Sequence, residues 1–169
     1  MSSHLPTGPP LTVLHGRQIP HWRPGHTRGP RAVELRVPAR TDALSVVRAM
    51  TCSLADYEEL DSDTAADLTL AVDEACTVLI GMASAGAALV LIEDPRVREL
   101  NVRVSTVCDS VHSDPGSTLL SGFSRRVLEA LTDRVDTFVD DVDVEHPRGP
   151  RPALGISLTI WRHGAPARR

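Results

Sequence analysis

Residues 68–80, LTLAVDEACTVLI, set two adjacent carboxylates, Asp73 and Glu74, inside an otherwise apolar run. At about 100° per residue, Leu68, Val72, Ala75 and Leu79 share one stripe with Met82 at its margin, and Asp67, Leu70, Ala71, Glu74 and Val78 share a second. The run therefore reads as a helix with its first stripe on a core. Glu74 lies beside that core, one turn before Val78. A carboxylate there is costly unless a site holds it; a structural ion pair or an exposed helix carboxylate is the plainer alternative.

Outward from this helix, Asp61, Ser62 and Asp63 offer caps at its start, and Gly81 with Ser84-Ala85-Gly86 offers a stop. Upstream, Val33, Leu35 and Val37 alternate with Glu34 and Arg36, predicting a strand that Pro38 ends. Thr41 is expected to cap a first helix whose Leu44, Val47, Met50, Thr51 and Leu54 step toward Tyr57. Downstream, Ala88–Ile92 and Leu100–Val107 read as a hairpin closed by Glu93-Asp94-Pro95-Arg96. The Pro115- and Gly116-containing stretch from Cys108 to Leu120 reads as a loop. Gly122 then opens a third helix, Phe123–Thr132, with Phe123, Val127, Leu128 and Leu131 on one face. Val135–Val139 and Leu154–Trp161 are further strands, separated by an acidic loop over Asp140–Arg151 that includes Asp141, Asp143 and Glu145. This order predicts an α+β two-layer sandwich, with a mixed, mostly antiparallel sheet covered by helices on one face.

At 169 residues and 41% apolar content, the chain accommodates one domain with an ordinary core. Residues 1–30 hold six Pro, four Gly and four His, and read as a disordered arm whose His4, His15, His21 and His26 lack a metal-ligand spacing. The domain is expected over 31–162, with a short tail over 163–169. Acids outnumber bases 22 to 18 and the isoelectric point is near 5.9, which argues against direct nucleic-acid contact. No apolar run approaches the roughly 20 residues of a membrane span, and no signal-peptide layout opens the chain, so a cytoplasmic protein is expected. Cys52, Cys76 and Cys108 show no paired spacing and are expected to be small packing residues; redox control through Cys76 or Cys108 is the minority reading, since no flanking base would activate either thiol.

Three local motifs on this element order resemble the anti-sigma factors of the RsbW and SpoIIAB type, built on the GHKL (Bergerat) ATP-binding fold. The resemblance covers roughly residues 31–162. Asp73-Glu74-Ala75-Cys76-Thr77-Val78 is similar to the family's E-A-x-T-N, which makes Glu74 the general base toward a serine hydroxyl. The family's magnesium-binding Asn falls at Val78, which has no lone pair to offer, so no metal ligand is expected there. Val107-Cys108-Asp109-Ser110-Val111 is similar to D-x-G, with Asp109 as the adenine partner and Val111 in place of the glycine. Ser121-Gly122-Phe123-Ser124 is similar to G-x-G at a phosphate-binding helix start, with Gly122 kept and Ser124 in place of the second glycine.

The resemblance implies sequestration of an alternative sigma factor, release by a STAS-domain antagonist, and a homodimer through the sheet side. The exposed side of helix one, including Arg48, is the implied partner surface. Loss of the metal ligand and of two glycines implies a degenerate ATP site, the pattern of the divergent actinobacterial members. The alternative is an active, ATP- and Mg²⁺-dependent serine kinase that phosphorylates the antagonist, using Glu74 as base and Asp109 for adenine.

Overall fold

A computed structural model describes residues 28–109, 120–142 and 151–162. The four arm histidines, the loop around Pro115, the 163–169 tail and most of the acidic loop lie outside the described residues. The elements run β1 (Val33–Pro38), a 3-10 turn (Thr41–Ala43), α1 (Leu44–Tyr57), α2 (Ser62–Met82), β2 (Ala88–Pro95), β3 (Glu99–Val107), α3 (Gly122–Leu131), β4 (Arg134–Val142) and β5 (Arg151–Trp161). The five strands form one sheet of order β1-β2-β3-β5-β4, antiparallel at every pairing. The expected mixture of strand directions thus resolves as purely antiparallel.

The core lies between the sheet and the helices. Leu89 and Leu91 of β2, Leu100, Val102 and Val104 of β3, and Leu154, Ile156 and Leu158 of β5 meet Val47 of α1, Leu68, Val72, Ala75 and Leu79 of α2, and Leu128 of α3. A fully buried leucine of this kind contributes about 2 kcal/mol, so the α2 stripe is a principal anchor. On the helix-free face, Phe138 of β4 crosses Gly155 of β5, where a Cβ would enter the ring, and the Arg103 guanidinium stacks 4.0 Å from the ring centroid.

Several boundaries differ from the sequence expectations. β2 continues through Glu93 and Asp94 to Pro95, so the turn falls on 96–98. Thr41 starts a 3-10 turn rather than capping α1, and Tyr57 is exposed because it lies past the buried Leu54 stripe. In α3 the buried residues are Ser124 and Leu128, whereas Phe123 points outward at 75% exposure. Cys52 is exposed on α1, while Cys76 and Cys108 are buried as expected. No helix among the described residues is long and apolar enough to cross a membrane.

Candidate functional site

Helix α2 is fixed at its start by Asp61, which accepts from the Thr64 amide at 2.9 Å and the Thr64 hydroxyl at 2.7 Å. These bonds hold the Asp61 carboxyl below its ordinary range. From there the helix crosses the sheet for 21 residues. Asp73 and Glu74, adjacent in sequence, face different neighbours. Asp73 turns to α1 and receives Arg48 bidentately, Nε at 2.7 Å and Nη2 at 3.0 Å. The hydrogen bond and charge of Asp73 raise the Arg48 guanidinium further above its ordinary range. Glu74 is half-buried and makes no hydrogen bond or ion pair among the described residues.

Of the remaining sequence-predicted positions, Asp109 lies at the end of the sandwich where α2 meets β3. The C-terminus of α2 meets the end of β3 through the Ser84 amide, which donates to the Val107 carbonyl at 2.9 Å. Asp109 follows β3 directly and is exposed, with Cys108 held by its amide to the Pro152 carbonyl. Helix α3 ends beside Thr159, whose carbonyl accepts from the Asp133 amide. Its ten residues span about 15 Å, so Gly122 lies most of a helix length from that contact.

The donor set at this end was compared with what a magnesium–nucleotide complex needs. Val78 is half-buried and packs against the core, offering no oxygen. The Ser124 amide donates to Ser121 Oγ at 3.2 Å, and the two hydroxyls meet at the same distance, so part of the helix start is already capped. A side chain at Gly122 would meet nothing within 4 Å, so steric fit does not demand a glycine there. Among the described residues no group of three or more His, Cys, Asp or Glu could hold a metal ion. Val78 thus offers no metal ligand at the position the motif implies, and Ser121 caps part of the α3 start.

Sequence reasoning missed three buried carboxylates, Glu58, Glu93 and Asp94. Glu58, at the end of α1, has a side chain only 2% exposed and binds Arg31, just before β1, at 2.8 Å and Arg162, just after β5. Glu93, on β2, is fully buried, with Thr51 Oγ1 donating to it at 2.6 Å. Period-two counting from Leu89 and Leu91 puts Glu93 on the core face. Assigning Glu93 to a turn concealed it.

A five-stranded antiparallel sheet beneath three helices, with the long second helix carrying Glu74, defines a sandwich of the GHKL class. No family model matches the chain. It is similar to the anti-sigma-F factor RsbW of Mycobacterium tuberculosis, in strain CDC 1551 / Oshkosh and in strain H37Rv. In each case identity is 44% over 140 residues, covering 82% of this chain and 78% of the relative. The chain belongs to the RsbW family of anti-sigma factors.

Proposed function

We propose that this protein sequesters an alternative sigma factor of the sigma-F kind in the cytoplasm, and that a STAS-domain antagonist releases it without phosphorylation. The observation carrying this reading is the 44% identity to the anti-sigma-F factors, set beside a nucleotide end whose polar positions are given over to packing and capping. Val78 supplies no metal ligand, and phosphoryl transfer depends on a metal to neutralise the triphosphate. Glu74 is then a vestigial base, and Asp109, Gly122 and Ser124 line a degenerate pocket. Arg48, exposed and held by Asp73, is the proposed contact for the sigma factor. The working domain is 31–162, flanked by an arm and a short tail, and a homodimer through the helix-free sheet face is part of the reading.

The test is co-expression with the sigma factor and co-purification in the absence of nucleotide. A stable complex that the unphosphorylated antagonist dissolves supports the reading, and failure to co-purify overturns it. A second reading, an active serine kinase, is favoured by the half-buried Glu74, without a hydrogen bond or ion pair among the described residues, and by the exposed Asp109. Phosphate transfer to the antagonist serine, lost in Glu74→Ala, would establish it; no transfer with Mg²⁺ or Mn²⁺ would end it.

A further inference from the structure

Glu93 has no role in the proposed site, and its surroundings are unsuited to a charge. It sits on the helix-facing side of β2 between Val33 of β1 and Val102 of β3. From above, α1 brings Thr51, itself fully buried, whose hydroxyl binds Oε1 at 2.6 Å. Oε2 is buried without a hydrogen-bond partner among the described residues. An ionised carboxylate in such a place needs a cation or several donors, and a single hydroxyl does not replace its hydration.

The groups facing this seam give Glu93 no compensating charge. On α1, Arg48 is one turn from Thr51 but turns outward to Asp73. On α2, the buried Cys76 thiol is pushed up to about 12, chiefly by burial, so it stays neutral and offers no positive charge. From β1 and β3 the neighbours are Val33 and Val102. Further along α1, Glu58 is balanced by Arg31 and Arg162. Burial accordingly raises the Glu93 carboxyl and outweighs the Thr51 bond, which acts in the opposite direction.

We propose that Glu93 enters the core as the neutral acid and is a positioning residue, seating α1 through Thr51, so that loss of its proton loosens the middle of α1 and the Arg48 face with it. The coupling to Arg48 rests on the reading that α1 contacts the sigma factor; the seat itself does not. The unfolded glutamate ionises near its ordinary pKa of about 4.3. The stabilising effect of the neutral acid is therefore complete below that pH and is lost as pH rises toward the elevated folded value.

The test compares the full chain with Glu93→Gln, which keeps an acceptor for Thr51 and cannot ionise, by thermal unfolding from about pH 5 to pH 8. The variant's Tm advantage should widen by several degrees across that range. Amide exchange, corrected for its intrinsic pH dependence, should show α1 protection falling with pH in the native chain and not in the variant. A gap that stays constant with pH, or a variant less stable throughout, would overturn the proposal. Thr51→Val keeps the shape and removes the donor, so it should lower α1 protection at every pH; unchanged protection would equally overturn it. Sigma-factor affinity measured over the same range separates the two readings. A pH-dependent loss in the native chain alone supports the coupling to Arg48. Unchanged affinity beside a pH-dependent α1 removes that coupling and leaves the seat standing, and no complex at any pH is failure of the functional reading.

Discussion

The two ends of the sheet use polar groups in opposite ways. At the β2–β3 turn, two buried carboxylates are well paired, Glu58 by Arg31 and Arg162, and Asp94 by the Gly29 amide and Arg96, with Glu93 the exception. These contacts tie the segment before β1 and the residue after β5 to the domain. Away from that turn, Val78 of α2 packs against the core and Ser121 caps the start of α3. The difference teaches that, among the described residues, the paired buried carboxylates concentrate where the segment before β1 and the residue after β5 meet the domain.

The largest effect that would break this contrast is expected from Glu58→Ala. Removing the carboxylate leaves Arg162, 12% exposed, without its counter-ion, and should cost about 3 kcal/mol in urea unfolding, the low end for a broken buried pair because Arg31 is half exposed. Gly29→Ala comes next. Its Cβ would fall 2.5 Å from Asp94 Oδ1, a group already fixed by Arg96, and the displacement should cost about 1–2 kcal/mol. At the opposite end, Ser121→Ala removes the α3 cap and should cost about 1 kcal/mol without changing sigma-factor affinity.

Smaller effects sharpen the comparison. Val78→Asn should cost about 1 kcal/mol, since it puts an amide at a half-buried apolar position, and should give calorimetric heat with Mg-ATP that the native chain lacks. Arg48→Ala should leave Tm unchanged and weaken the sigma-factor complex by about tenfold. A thiol reagent at neutral pH should modify Cys52 alone in the native chain, with Cys76 and Cys108 reacting only on unfolding, because burial keeps Cys76 protonated up to about pH 12.

Much of the fold was legible because the apolar periods are clean. The stripe of Leu68, Val72, Ala75 and Leu79 is the core face of α2, and the alternation of β3 from Leu100 to Thr106 is the buried face of the central strand. Where local chemistry suggested a turn, tertiary pairing prevailed: Glu93, Asp94 and Pro95 look like turn residues, yet β3 pairs with all three. Phe123 was misplaced because position and size suggested core, whereas Ser121 caps the helix and rotates Ser124 and Leu128 inward.

The site was legible as a set of positions and not as a set of contacts. Asp73 and Glu74 announced themselves, but only the packing of α1 shows that Arg48 claims Asp73 and leaves Glu74 without a partner among the described residues. The Glu58 clamp joins residues 31, 58 and 162, and no local pattern links positions so far apart in sequence.

The most direct measurement is a calorimetric titration of the full chain with the sigma factor, run once without nucleotide and once with Mg-ATP. The expected result is a tight complex of the same affinity in both runs. Binding that appears only with Mg-ATP would contradict the degenerate-site reading, and no binding in either run would contradict the anti-sigma function itself.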